Sequence, residues 1–179
     1  MADPWYAELR KAYRPEQVRV LLVGESAPDP GSAERRFFYA PILDQRDNLY
    51  RGVVQAFYDC SPGRAGDLKA TWLDRLKADG VFLIDLVPFP VNKLSLDKSE
   101  ARRLRVKARR DHVAACIEEA RSLKPAGVII CHHGVYSDGA NAMRAAGLPL
   151  LHDEPIPFPL YQGKRQFSVA VRAALDQLE

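Results

Sequence analysis

Apolar and polar positions fall into blocks along the chain. Four short runs are almost wholly apolar: 18–23 (VRVLLV), 81–87 (VFLIDLV), 127–131 (GVIIC) and 148–151 (LPLL). Turn formers bound each of them: Gly24 after the first, Asp79-Gly80 before and Pro88 after the second, Lys124-Pro125 before the third, Gly147 before the fourth. Runs this short, rich in Val, Leu and Ile and without strict alternation, predict strands buried on both faces, as in a parallel sheet. The segments between them carry a helical period. Residues 48–58 set Leu49, Val53, Ala56 and Phe57 on one face, and 67–77 do the same with Leu68, Trp72, Leu73 and Leu76. The longest, 99–123, aligns Leu104, Val113, Cys116, Ile117 and Ala120 behind Ser99 as a candidate N-cap. Further helices are predicted over 137–146 and 167–178. Strand–helix alternation predicts an α/β fold: three layers, α/β/α, around a central, mainly parallel four-stranded sheet. No repeat, low-complexity tract or linker interrupts it, so a single domain over 1–179 is expected.

Composition narrows the function classes. The chain has 179 residues, 47% hydrophobic and 27% charged, as an ordinary globular protein has. The first residues (MADPWYAELRKAYRPEQ) lack the basic-then-apolar pattern of a signal peptide, and no apolar run approaches the roughly 20 residues of a membrane span. A cytoplasmic location without membrane contact is expected. Cys60, Cys116 and Cys131 have no paired spacing, which argues for buried free thiols and against disulfide, zinc or iron–sulfur frameworks. The net charge is only +3, yet 102–110 (RRLRVKARR) gathers Arg102, Arg103, Arg105, Lys107, Arg109 and Arg110. Such a run serves either as the solvated face of a helix or as a phosphate-binding patch, and charge alone leaves both open.

In parallel α/β sheets ligands lie outside the carboxyl ends of the strands, so the segments after each apolar run hold the candidate chemistry. After the first run stands GESAPDPG (24–31), whose Glu25 or Asp29 can orient a water for general-base attack; as turn residues both also have a plain structural use. It lacks the Gly-Lys-Ser/Thr ending of a phosphate-binding loop. Asp85 interrupts the second run, and a carboxylate in a buried strand is costly unless it is paired or used. Phe37, Phe38 and Tyr39 offer a stacking surface for an extruded base, or a hydrophobic plug for the loop that carries them. Cys131-His132-His133 does not suit one metal ion, because neighbours along a strand point to opposite faces; one of the histidines is left to line the cleft.

Taken in order, these segments resemble the uracil–DNA glycosylase superfamily over nearly the whole chain. GESAPDPG is similar to that family's water-activating loop, which reads GQDPYH, GINPG, GMNPG or GEAPG in different branches. RFFYAP…DNLYRGVVQAF resembles the segment whose Phe stacks on uracil, VFLIDLVPF the LLLNAVLT-type strand whose Asn reads the uracil edge, PAGVIICHHG the strand that follows it, and LLHDEPIPFPLYQGKRQF the second motif, HPSPL…RG…HF. The resemblance implies a monofunctional DNA-repair glycosylase acting on uracil or another deaminated base; a non-catalytic damaged-base or abasic-site binding protein and a nucleoside or nucleotide hydrolase on the same fold are the alternatives. Such a glycosylase flips a damaged nucleotide out of DNA and hydrolyses its N-glycosidic bond, with no metal or organic cofactor. By the same resemblance Glu25 or Asp29 positions the water, His152 stabilises the leaving base, Phe37 or Phe38 stacks on it, and Asp85 with Glu154 meets its edge. Leu160 or Tyr161 wedges into the vacated stack, and Lys164 and Arg165 meet phosphates. The expected partner is DNA carrying a damaged base, bound by a monomer in the cytoplasm or, in a bacterium, at the nucleoid. The chain departs from the pattern in three ways. Asp85 stands for the Asn, and an ionised Asp accepts from a ring N–H but cannot donate to O4. The second motif aligns either as Glu154-Pro155-Ile156-Pro157 or as Ile156-Pro157-Phe158-Pro159, and neither puts a His in the family position. The cluster-binding cysteines of the GEAPG branch are absent, so no iron–sulfur cluster is expected.

Overall fold

The computed structural model describes residues 4–28, 36–91 and 97–178. Among these residues six α-helices and three strands follow one another as α1 (Pro4–Ala12), β1 (Val20–Gly24), α2 (Asn48–Tyr58), α3 (Ala70–Ala78), β2 (Val81–Asp85), α4 (Lys98–Leu123), β3 (Gly127–Ile130), α5 (His133–Ala145) and α6 (Gly163–Leu175), with a 3₁₀ turn over Asp176–Leu178. The fold is α/β. Its sheet has the order β2-β1-β3 and is parallel throughout, with Val20 beside Val81 on one side and Gly127 on the other. All three strands are buried along their length up to Asp85, as their unbroken apolar runs require. Helices α2 and α6 pack on each other, as do α4 and α5, which is compatible with helices on both faces. None of the described helices is long and apolar enough to cross a membrane.

The expected fourth strand does not form. Residues 148–151 begin to pair with β3: Val128 N–H donates to Pro149 O at 2.8 Å, and Leu151 N–H to Val128 O at 3.0 Å. This leaves one isolated parallel bridge between Val128 and Leu150. At the next ladder position the Ile130 N–H donates not to backbone but to His152 Nε2, at 2.9 Å. Pro149 has no N–H to offer, and the imidazole takes the place of the next carbonyl, so the ladder stops after one bridge. Among the described residues the sheet therefore has three strands rather than four.

Helix ends also differ from the sequence reading for identifiable reasons. α4 is capped by Asp97, whose carboxylate accepts from Ser99 N–H and Glu100 N–H, so Ser99 lies inside the helix instead of capping it. α5 begins at His133, capped by the ring of His132. α1 lacks a sequence signal of comparable strength, yet its Tyr6 reaches the core.

Candidate functional site

With the order β2-β1-β3, the chain leaves β1 towards one edge of the sheet and later reaches β3 at the other. The strand order thus reverses between β1 and β3, and open α/β sheets bind ligands in the crevice outside the carboxyl ends at such a reversal. A cavity of about 460 Å³ lies there, large enough for a nucleobase. Glu25 enters it from the end of β1, Asp85 from the end of β2 and His132 from the residue pair after β3; Phe37, Phe38, Asn48, Arg105, Phe158 and Leu160 complete much of the wall.

Glu25 is the most constrained of these groups. Its side chain is 9% exposed, with one oxygen accepting from Arg105 and the other from Arg109 Nη1 at 2.6 Å. Arg109 is anchored on its far side by Asp138, at 2.7 Å from Nε, while Arg105 is more open, at 38% exposure. Burial by itself would raise the Glu25 pKa; the hydrogen bonds from Arg105 and Arg109 and the charge of Arg105 outweigh it and hold the carboxyl below its ordinary value. Arg105 Nε is buried without a hydrogen-bond partner among the described residues, on a side chain that lines the cavity.

His132 Nδ1 accepts from the Gly134 N–H at 3.1 Å, which assigns the proton of the neutral ring to Nε2, 3.7 Å from Glu25 Oε2. Burial, reinforced by the nearby guanidinium groups, lowers the His132 pKa, so the ring is neutral at neutral pH. It presents an N–H donor to the cavity.

Asp85 ends β2 directly over Gly24. A Cβ on Gly24 would meet Asp85 Oδ1 at 2.9 Å, so the glycine after the first apolar run is what makes room for the carboxylate. The other oxygen, Oδ2, accepts from Arg10 Nη2 of α1 at 2.5 Å. Burial nevertheless dominates and pushes the Asp85 pKa up to about 6; Arg10 opposes the shift, and Glu119 and Glu25 add to it. Arg10 also stands 5.4 Å from the centre of the Phe37 ring, which ties α1 to the aromatic wall. Phe37 and Phe38 meet their aromatic neighbours edge-on, Phe37 against Tyr6 and Tyr39, Phe38 against Tyr39 and Tyr50.

The other expected site residues divide. Leu160 stands at the cavity wall, 43% exposed. Tyr161 follows it at 83% exposure in a left-handed backbone conformation (φ 48°) uncommon for such a residue. Lys164 and Arg165 line a separate groove of about 580 Å³ between α2 and α6, which shares Asn48 with the main cavity. Asp29 lies outside the described residues. His152 and Glu154 stand apart from the cavity. His152 accepts the Ile130 N–H on Nε2 and bonds the Glu154 carbonyl through Nδ1 at 2.7 Å, so both ring nitrogens are used in closing the sheet edge. His132, not His152, is the histidine that lines the cavity. Arg10, Arg105 and Arg109 were not anticipated as site residues. The i,i+4 spacing of Arg105 and Arg109 was their sole sequence signal, and it is masked by basic residues on every side.

Comparison with protein-family models, with curated proteins and with solved structures finds no match to this chain.

Proposed function

We propose that the protein is a base-excising hydrolase of the uracil–DNA glycosylase superfamily, a single domain that cleaves the N-glycosidic bond of a deaminated base flipped out of DNA. The observation that carries this reading is the convergence of Glu25, Asp85, His132 and Phe38 on one nucleobase-sized cavity at the strand-order reversal. In it Glu25 orients the attacking water, and the His132 Nε2–H stabilises charge developing on the departing base. Phe38 or Phe37 stacks on the base, and Asp85 accepts from its ring N–H. Deaminated bases carry that N–H where cytosine and adenine carry a lone pair, so an ionised acceptor rejects both parent bases. Leu160 at the mouth, or Tyr161 at the loop tip, fills the gap in the stack, and Lys164 and Arg165 meet phosphates.

One observation favours a second reading. Two guanidinium groups bracket Glu25, so its charge is already balanced and less is left to offset a cationic sugar. A protein that holds a damaged base without cleaving it fits that balance.

Labelled oligonucleotides, single-stranded and duplex, each with one uracil, hypoxanthine or xanthine, separate the readings after alkaline treatment. A strand break at the lesion supports hydrolysis; lesion-specific retention on a gel without a break supports the binding protein; neither result defeats both. Cleavage of an N–H-presenting base is expected to fall as pH drops through about 6, where Asp85 takes up a proton and ceases to accept. Asp85→Asn should remove that limb and move preference towards uracil, since a carboxamide can also donate to O4. A limb near 6 that persists in Asp85→Asn would refute the assignment of Asp85 to the base edge.

A further inference from the structure

The basic run on α4 divides in two. Arg105 and Arg109 turn inwards to Glu25 and Asp138, whereas Lys98, Arg102, Arg103, Lys107 and Arg110 stay exposed. All five line a shallow groove of about 730 Å³. Lys107 pairs with Asp111 and Arg110 with Asp138, while Lys98, Arg102 and Arg103 have no acidic partner among the described residues. Residues 97–111 hold seven Lys and Arg against three Asp and Glu, a net charge of +4. The whole chain carries +3, so everything outside this stretch sums to −1. The excess positive charge of the sequence thus falls within this one stretch of α4 and its cap. That helix buries Cys116, Ile117 and Ala120 in its C-terminal half, and its N-terminal half passes the cavity, where Arg105 forms part of the wall.

We propose that the exposed basic face of α4 is a docking track for a nucleic-acid backbone, which it binds without regard to sequence and leads to the cavity beside Arg105. It rests on the reading of the ligand as DNA, and it adds a second contact surface to the loop around Leu160. Closely spaced unpaired cations match the phosphate repeat of a nucleic acid, and each contact they make releases condensed counterions. Arginines at 102 and 103 also suit phosphate oxygens as bidentate donors.

The test is fluorescence anisotropy with undamaged labelled oligonucleotides at several salt concentrations, using the full chain. Arg102→Ala/Arg103→Ala is expected to weaken binding about ten-fold or more at low salt and to flatten the salt dependence by roughly two units. Arg102→Lys/Arg103→Lys, which keeps the charge, should retain the slope and shows that the helix tolerates change there. Unchanged affinity and slope in the alanine variant overturn the inference even if lesions are cleaved. Charge-dependent binding to phosphatidylserine vesicles but not to oligonucleotides overturns it in favour of a membrane surface. Salt-dependent retention lost in the alanine variant, with no lesion cleaved by the parent, upholds the track and defeats the hydrolase reading.

Discussion

Asp47→Ala is expected to destabilise the fold by about 3–5 kcal/mol, the usual cost of stripping a buried ion of its ion-pair partner. The ion is Lys69, whose side chain is fully buried. Its ammonium lies 2.8 Å from Asp47 Oδ2, donates to the carbonyls of Phe37 and Phe38 at 2.8 and 3.1 Å, and sits 4.6 Å from the centre of the Tyr50 ring. Burial lowers the Lys69 pKa even with Asp47 present. Without the carboxylate it falls further, and folding then has to release a proton that the unfolded chain would keep. The unfolded state binding more protons, stability of the variant should rise with pH up to the ordinary lysine value of about 10.4. Lys69→Met should cost less than Asp47→Ala. It leaves a carboxylate that still accepts from the Asp44 N–H at 2.9 Å, although two carbonyls lose their donor. Urea unfolding at several pH values measures all of this; a loss below about 1 kcal/mol for Asp47→Ala, flat in pH, would show that Lys69 does not rely on Asp47. Because Lys69 holds the backbone of both aromatic residues, the same variants should weaken any ligand that stacks on Phe38.

How much of this was legible beforehand depended on whether a residue's role is local. The apolar runs that became β1, β2 and β3 could be read because a strand covered on both faces tolerates almost nothing polar, and α2 was bounded correctly at Asn48 and Tyr58 for the same kind of reason. Asp85 stood out because it violated that rule, and Glu25 because it followed a strand directly. The run at 148–151 misled because pairing is decided by its neighbour: a histidine side chain, not composition, ends the ladder. Lys69 and Asp47 gave no sign at all. They stand in polar stretches twenty-two positions apart, and only the tertiary path of 37–47 buries them together. The arginines of α4 are the sharpest case, since inward and outward positions carry the same residue type and periodicity has no contrast to report.

Glu25→Gln should lower the cleavage rate by about 10²–10⁴-fold, the range spanned when a positioned general base is removed. The variant keeps the shape of the side chain and one acceptor oxygen. It loses the charge and turns an amide towards one of two arginines, so Arg105 is expected to swing out while Arg109 stays with Asp138. The pH profile discriminates this from loss of base recognition. Glu25 is held below the ordinary carboxylate range, so it is ionised across the whole neutral and mildly acidic span, whereas Asp85 titrates near 6. Glu25→Gln should therefore drop the plateau and leave the acid limb where it was; Asp85→Asn should do the reverse. Stability offers an independent readout. The parent gains from a depressed Glu25 pKa above the unfolded value of about 4.3 and loses that gain as pH falls through the folded value, a dependence Gln cannot show. Single-turnover rates on the lesion that the parent cleaves, taken between pH 5 and 8, carry the decision. A plateau within threefold of the parent would remove Glu25 from the chemistry and shift water activation to Asp29. An unchanged lesion affinity beside a lost rate would instead mean that the arginine bracket leaves Glu25 enough charge to catalyse, and that the bracket's purpose is to fix the carboxylate in place before the base arrives.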